Sequence, residues 1–229
     1  MKNVINIMID LETASRHRNA AILSIGAKVF WPNEFNSESV TIFGNGEQVN
    51  FVINAASCIT AGLHFEMETV RWWSERSDEA KASILATPML LTSALESLSA
   101  FFDYIRGKYK SDIRIWCQGT DFDIPILANA YHVCGLPIPW KHTDVRDART
   151  FVLDTLELIF GPEEKPYNRI PAMPDGEEWI AHSALSDARR TAWNVSFSKH
   201  LLRTHLEYSP EYRELKGLKQ LDDSKTIDE

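Results

Sequence analysis

Cysteine is scarce in this chain of 229 residues, which contains only Cys58, Cys117 and Cys134. The three residues are odd in number and widely spaced, and no C-x-x-C pair occurs. The sequence therefore supports neither a disulfide scaffold nor a cysteine zinc site. This cysteine usage is typical of a reducing compartment.

Positive charge and long apolar runs are also in short supply. Lys and Arg total 24 against 32 Asp and Glu, which gives a net charge of −8. This balance excludes a polybasic nucleic-acid coat and a membrane-surface peptide. The apolar run before Asp10 is too short for a signal peptide or a membrane span. We therefore expect a cytoplasmic protein with no membrane partner.

Apolar residues are plentiful enough for a core, at 44% of the chain. That content in a chain of this length predicts one domain of ordinary size. We expect a single domain over residues 1–208. Residues 209–229 are expected to be a polar tail, frayed or disordered from Lys216 to Glu229.

Hydrophobic patterning predicts strands first and helices later. The predicted strands are 4–9, 21–30, a third strand within 40–53 with the turn Gly44-Asn45-Gly46 inside or before it, and Ile113–Cys117. The predicted helices are two short ones within 67–85, a longer one from Thr87-Pro88 to near Gly107, and 125–135, 149–160 and 184–206. This order indicates an α/β fold with a mixed sheet flanked by helices.

Two carboxylates follow the first predicted strand. Asp10 and Glu12 are two residues apart, and the two-residue period of a strand directs both side chains to the same face of the sheet. Carboxylates so close together repel each other, and a divalent cation is their natural partner. A D-x-E triplet is a weak signal alone, because two solvated carboxylates produce the same pattern.

Three further residues have the same kind of setting. Asp123 follows strand Ile113–Cys117 at the start of a helix, where its alternative role is an N-cap. Asp121 is the better N-cap candidate, which would leave Asp123 free to face the end of the sheet. His182 and Asp187 have the spacing H-x-x-x-x-D at the start of the last helix. A surface histidine and an aspartate favoured by the helix dipole remain the alternative there.

Taken in order, these motifs resemble those of the DEDDh superfamily of 3′-to-5′ exonucleases. The matching strings are Asp10-Leu11-Glu12-Thr13, Phe122-Asp123 and His182-Ser183-Ala184-Leu185-Ser186-Asp187-Ala188. Within the superfamily the chain is most similar to phage and prophage exonucleases and to the mycobacterial-type exoribonuclease-like branch. Segments 59–64, 69–73 and 146–150 also look like theirs. The resemblance covers about residues 3–200.

The resemblance implies a fold, a cofactor and a reaction. The fold would be RNase H-like, with a five- or six-stranded mixed sheet, helices on both sides and the active site at the end of the first strand. Two Mg²⁺ or Mn²⁺ ions would be held by the four carboxylates Asp10, Glu12, Asp123 and Asp187. His182 would be the general base. The chain would then release nucleoside 5′-monophosphates from the 3′ ends of single-stranded DNA or RNA.

The same resemblance implies residues that hold the substrate. Leu11 and Thr13 are candidates for contact with the terminal base, although Leu11 could equally be part of the core. Arg146 and Arg149 look like the family's basic positions near the site, with surface ion pairs as the alternative.

Two further segments have a structural alternative to substrate contact. The run Arg16-His17-Arg18 is either a phosphate contact or a solvated loop. Trp72 and Trp73 could stack on bases. We favour the core for them, because a helix with adjacent large aromatic residues usually buries at least one. The acidic chain is expected to grip only a few nucleotides.

Other functions fit the same motifs less well. A non-catalytic module could use this fold to bind nucleic-acid ends or a protein, but it would have no need of four converging carboxylates. A metal-dependent endonuclease on the same fold is a further alternative. The phage-like resemblance slightly favours DNA over RNA. The sequence leaves the oligomeric state open, and a homodimer is one alternative because several superfamily members are dimers.

Overall fold

A mixed sheet of five strands forms the centre of the computed structural model, which describes residues 4–174 and 179–209. The strand order is β3-β2-β1-β4-β5. The strands are β1 (Ile5–Thr13), β2 (Ile22–Phe30), β3 (Gln48–Val52), β4 (Ile113–Cys117) and β5 (Val145–Asp147). β1 pairs antiparallel with β2 and parallel with β4, so the sheet changes direction at its central strand.

Helices cover both faces of this sheet. Within the described ranges they are α1 (Ala55–Thr60), α2 (Met67–Ser74), α3 (Asp78–Ser83), α4 (Leu91–Tyr109), α5 (Asp123–Val133), α6 (Ala148–Phe160) and α7 (Ala184–Tyr208). The predicted α/β class with a mixed sheet of five or six strands flanked by helices is confirmed, with five strands.

The two faces of β1 belong to two different cores. Ile7 and Ile9 pack with the apolar faces of α4 and α5. Met8 packs on the opposite side with residues of α6 and α7. Because successive side chains of a strand point to opposite faces, Asp10 and Glu12 lie on the same side as Met8. The strand thus presents its carboxylates to the side covered by α7.

The helical periodicity of α4 is confirmed by its packing. Its predicted apolar face is buried in the first core, at Leu91, Leu95, Leu98, Phe102 and Ile105. The helix begins three residues after Pro88, however, and it continues past Gly107 to Tyr109. Lys110 ends it in the left-handed conformation, with φ of 48°.

Several predicted boundaries were wrong. Val40 to Phe43 do not form a strand, because Thr41–Phe43 is a 3₁₀ turn and β3 begins only at Gln48. The short β5 and α1 were missed, since three- and six-residue elements carry too little periodicity to be recognised. The predicted tail lies outside the described residues from residue 210 onward, as do residues 175–178 of the loop before α7.

No helix in the described part of the chain has the length and apolar character needed to cross a lipid bilayer.

Candidate active site

The first motif, Asp10-Leu11-Glu12-Thr13, lies within β1, because this segment pairs with β2. β1 continues to Thr13, four residues beyond its predicted end, because the ladder with β2 pairs Asp10 with Gly26 and Glu12 with Ser24. Both carboxylates are therefore attached to the central strand, on one face as predicted. Glu12 is only 8% exposed.

Asp123 is the first residue of α5 and is buried. The predicted N-cap at Asp121 was wrong, because the N-cap residue is Phe122 and its side chain makes no capping bond. The carbonyl of Gly119 instead accepts hydrogen bonds from the backbone N–H groups of Phe122 and Asp123, at 3.1 and 3.3 Å. The local turn of the backbone therefore replaces the side-chain cap.

The loop before Asp123 is fixed from β5. One carboxylate oxygen of Asp147 accepts hydrogen bonds from the backbone N–H of Thr120 at 2.8 Å and from its hydroxyl at 3.1 Å. The other oxygen accepts from the backbone N–H of Thr150 and so caps α6. A single aspartate thus connects the loop that carries Asp123 to the start of α6.

Asp187 lies in the first turn of α7 and organises the loop that precedes it. Its Oδ2 accepts a hydrogen bond from the backbone N–H of His182 at 2.9 Å. Its Oδ1 accepts one from the indole Nε1 of Trp179 at 3.0 Å. His182 has a φ of 64°, in the left-handed region that few residues other than glycine adopt. The H-x-x-x-x-D spacing thus corresponds to a local turn, in which the bond to Asp187 holds the backbone of His182 beside the site.

All five residues of the predicted catalytic set line one pocket of about 310 Å³. A ring nitrogen of His182 and carboxylate oxygens of Glu12 and Asp187 lie within 4.8 Å of one another. The other residues lining the pocket are Leu11, Gln118, Phe122, Arg149, Trp179, Ala181 and Arg190. The strand, α5 and the start of α7 therefore bring together side chains from three distant parts of the sequence.

Negative charge is crowded in this pocket. Burial, reinforced by the charges of Asp123, Glu12 and Asp187, raises the pKa of Asp10 well above its ordinary value. Burial and the neighbouring carboxylates raise the pKa of Glu12 to about 8. Burial likewise raises the pKa of Asp123 to about 7, against the lowering effect of a backbone hydrogen bond from Leu11. A group of acids that repel one another in this way is stabilised by bound cations.

The donor set fits divalent metal ions with oxygen ligands. Four carboxylates converge, and no cysteine lines the pocket among the described residues. Carboxylate oxygens suit the hard cations Mg²⁺ and Mn²⁺ better than they suit softer metals.

A second hollow of about 440 Å³ adjoins the acidic pocket. We call it the aromatic groove. Its lining consists of Leu11, Glu12, Thr13, Arg16, Glu68, Thr69, Trp72, Trp73 and Phe122. Leu11, Glu12 and Phe122 line both hollows, so the groove opens directly onto the carboxylates.

The predicted contacts of the first motif have mixed surroundings. Leu11 is buried in the core and at the same time lines both hollows, so the two predicted roles are not exclusive. The hydroxyl of Thr13 donates to the carbonyl of Ser15. Trp73 is buried as expected, whereas Trp72 is 37% exposed at the groove.

The predicted basic residues are not all near the carboxylates. Arg149 lines the acidic pocket, and its charge lowers the pKa of Asp123. Arg146 donates to the backbone carbonyls of Thr143 and Val145 and is not among the described residues lining the pocket. Arg16 lines the aromatic groove, where it pairs with Glu66 and Glu68.

Sequence reasoning missed residues that position the others. Gly26 allows α7 to approach β2 so closely that an added Cβ would lie 2.3 Å from backbone atoms of Ala184 and Leu185. A glycine inside a strand is a recognisable signal of close backbone approach. Arg190 covers the ring of Trp179 at 4.1 Å and lies 3.4 Å from Asp187, an arrangement that no spacing rule indicates.

The fold is that of a known class of nuclease domain. The nuclease domain of 3′hExo, a DEDDh family member whose crystallographic structure was determined bound to rAMP, shares the fold with a TM-score of 0.55. The two chains are 8% identical, and the match covers 86% of this chain and 92% of that one.

The particular family follows from the sequence. The family model of the Rv2179c-like 3′-5′ exoribonuclease domain matches residues 5–198, and the chain belongs to this family. The predicted place of the chain among 3′-to-5′ exonucleases, in the exoribonuclease-like branch, is confirmed. None of the curated proteins compared with the chain matches it.

Proposed function

We propose that this protein is a divalent-metal-dependent exonuclease that removes nucleoside 5′-monophosphates one at a time from the 3′ ends of single-stranded RNA. The observation that carries the proposal is the convergence of four carboxylates and His182 in one pocket beside the aromatic groove. The name of the family favours RNA. It outweighs the slight preference for DNA drawn from the phage-like resemblance.

Asp10, Glu12, Asp123 and Asp187 would hold two Mg²⁺ or Mn²⁺ ions. When bound, the ions supply an activated water and stabilise the negative charge that develops on the departing 3′ oxygen. The carboxylates contribute rigidity as well as charge. Asp10 and Glu12 are fixed by the β1–β2 ladder, and Asp187 is fixed by its bonds from His182 and Trp179.

His182 is the proposed general base. An imidazole is the side chain best suited to accept a proton at neutral pH. The ring is directed towards the acidic pocket, since one of its nitrogens lies within 4.8 Å of carboxylate oxygens of Glu12 and Asp187. Its main-chain conformation is also held, because its backbone N–H donates to Asp187.

The aromatic groove is the proposed site of the terminal nucleoside. Its walls offer the apolar surfaces of Leu11 and Phe122 next to the carboxylates, so a base placed there would bring its 5′ phosphate to the acidic pocket. Arg149, which lines that pocket, is the proposed phosphate contact. Glu66 and Glu68 surround Arg16 at the outer edge. A surface of this charge favours short contacts over a long nucleic-acid track.

The test is a time course on matched 5′-labelled single-stranded RNA and DNA oligonucleotides in Mg²⁺, Mn²⁺ or chelator. We expect a metal-dependent ladder that shortens from the 3′ end, faster on RNA. Asp187→Asn should abolish it, whereas Asp154→Asn, at an exposed position of α6, should not change it. Faster shortening of DNA would overturn the substrate assignment. Cleavage of a circular strand would favour an endonuclease, and binding without any cleavage by folded, metal-supplied protein would favour a binding module.

A further inference from the structure

His182 depends on its neighbours for the orientation of its ring. It lies in a loop just before α7, with its backbone in the left-handed region. The bond from its N–H to Asp187 fixes the main chain but leaves the imidazole free to rotate about its side-chain bonds. Something else must therefore hold the ring towards the carboxylates.

Trp72 supplies the main contact to this ring. The centroids of the two rings are 4.7 Å apart at an interplanar angle of 79°, a typical edge-to-face geometry. Trp73 lies further away, with its ring centroid 6.3 Å from that of the imidazole. Trp72 is thus the aromatic residue of α2 that packs against His182.

Trp72 is itself held in place on several sides. The guanidinium of Arg76 lies 4.2 Å from the centre of its ring, and the Arg76 Nε donates to the Trp72 carbonyl at 3.1 Å. Trp73 packs edge-to-face against Trp72 at 5.2 Å. Because its ring has these contacts, Trp72 is a rigid surface against which the His182 ring packs.

The segment that carries Trp72 is tied to both halves of the site. The indole N–H of Trp73 donates to the carbonyl of Thr13 at 2.9 Å, next to the carboxylates of β1. The hydroxyl of Ser83, at the end of α3, donates between two carbonyls, that of Ala80 at 2.8 Å and that of His182 at 3.2 Å. We call Trp72, Trp73 and Ser83 the bracket, because together they connect the end of β1 to the histidine loop.

We propose that Trp72 is a positioning residue for His182, and that the bracket sets the imidazole at a fixed place relative to the carboxylates of β1. This inference rests on the proposed function, in which His182 accepts the proton of the attacking water. Misplacing a catalytic group by about 1 Å can cost roughly 100-fold in rate. The bracket therefore matters for the chemical step rather than for substrate affinity.

Kinetics separate this role from base stacking. Arg76, Trp73 and His182 pack against the Trp72 ring, while 37% of the residue stays exposed at the aromatic groove. A stacking residue contributes to binding and its loss raises KM, whereas the loss of a positioning residue lowers kcat.

The kinetic test compares Trp72→Ala and Trp72→Phe with Trp140→Ala. Trp140 is a half-buried tryptophan that packs edge-to-face on Tyr131 and does not line either hollow of the site. We expect Trp72→Ala to lower kcat by roughly 10- to 100-fold with KM within about threefold. Trp72→Phe, which keeps an aromatic ring, should restore most of kcat. A raised KM at unchanged kcat, or no change in either, would overturn the proposal.

A spectroscopic test on the full chain without substrate follows the ring directly. The imidazole carbon-bound protons of His182 lie beside an indole, so its ring current shifts their NMR resonances. With labelled histidine, and the His182 peak assigned by its loss in His182→Asn, we expect the resonance to move in Trp72→Ala and to stay in Trp140→Ala. Thermal unfolding of each variant shows that the comparison is made between folded proteins. An unmoved His182 resonance in folded Trp72→Ala would overturn the proposal.

The two tests also keep the proposal apart from the proposed function. If the wild-type chain hydrolyses no oligonucleotide, the proposed function fails, and the NMR comparison still decides whether Trp72 packs against the His182 ring. Ser83→Ala is the milder test of the bracket. It should lower kcat about two- to fivefold, as expected for one hydrogen bond. Ser74→Ala, which removes a comparable hydroxyl-to-backbone bond inside α2, should leave kcat unchanged.

Discussion

The site consists of two regions that are held in different ways. Asp10 and Glu12 belong to the central strand of the sheet, where backbone pairing on one side and two cores leave them no freedom. His182 belongs to a loop and Asp187 to the first turn of α7. Hydrogen bonds to the Asp187 side chain hold these two residues in place. Strand geometry alone fixes the first pair, whereas the second pair depends on residues far away in the sequence.

The largest loss of activity is expected when a charge is removed from the strand region, which comprises Asp10 and Glu12. Asp10→Asn keeps the shape of the side chain but takes away one of four carboxylates. We expect kcat to fall by roughly 10³-fold or more, as when a member of a catalytic unit is lost. Single-turnover hydrolysis of an RNA oligonucleotide measures it. Asp112→Asn, at an exposed position before β4, is the control and should be fully active. Substantial activity of Asp10→Asn would show that this carboxylate is not a metal ligand.

Gly26→Ala is expected to increase the distance between the strand region and the start of α7. The new Cβ would meet the backbone of α7 at 2.3 Å, so the helix carrying Asp187 must move away from Asp10. We expect the free energy of unfolding to fall by about 1–3 kcal/mol, as for other overpacked sites. We also expect weaker Mn²⁺ binding. Urea denaturation and calorimetric titration measure the two effects.

Gly107→Ala is the matched control for this glycine. No heavy atom of residues 4–174 or 179–209 lies within 4 Å of the Cβ it would add, and it lies inside α4. The exchange should be neutral or slightly stabilising. Equal effects at both glycines would mean that the close approach of α7 to β2 is unimportant.

Metal removal and pH test the charge crowding of the strand region. Glu12 has a pKa of about 8 in the folded chain against 4.5 ordinarily, and the pKa of Asp10 is raised as well. Between those values the folded chain binds a proton that the unfolded chain has lost. The free energy of unfolding of metal-free protein should therefore fall as pH rises from about 4.5 to 8.

Thermal unfolding in chelator across this pH range checks the sign. Added Mg²⁺ or Mn²⁺ should restore stability most strongly near pH 8, because it favours the ionised carboxylates. A stability that rises with pH in chelator would contradict the crowding. So would a divalent cation without any effect at pH 8.

The smallest expected effect lies in the loop region. Trp179→Phe removes the indole N–H that donates to Asp187 and keeps a ring for Arg190 to cover. We expect kcat/KM to fall about three- to tenfold, the value of one ordinary hydrogen bond of about 0.5–1.5 kcal/mol. Trp140→Phe should have no effect. A loss as large as that of Asp10→Asn would mean that the loop contributes more than this bond.

The same contrast explains what could be predicted from the sequence. A two-residue period places Asp10 and Glu12 on one face of β1 wherever the strand ends, so an error of four residues in that end did no harm. The family resemblance predicted that Asp123, His182 and Asp187 share this site. Trp72 was assigned preferentially to the core, and Trp179 and Gly26 were not recognised as site residues. Their roles arise from contacts between elements and not from local periodicity.

The long elements of the fold could be predicted from the sequence, whereas the short ones could not. The long elements α4 and α7 bury enough apolar side chains to leave a helical period in the sequence. The three-residue β5 leaves none, yet it carries Asp147, which holds the loop before Asp123. Short elements fixed by tertiary contacts are thus where sequence patterns fail and where the site is supported.

The central claim is that the two regions together hold two divalent cations. Its most direct test is the number of Mn²⁺ ions bound per chain, measured by equilibrium dialysis with a nucleoside 5′-monophosphate present. The wild-type chain is expected to bind two ions, and Asp10→Asn no more than one. A wild-type chain that binds no Mn²⁺, or an Asp10→Asn variant that still binds two, would contradict the account.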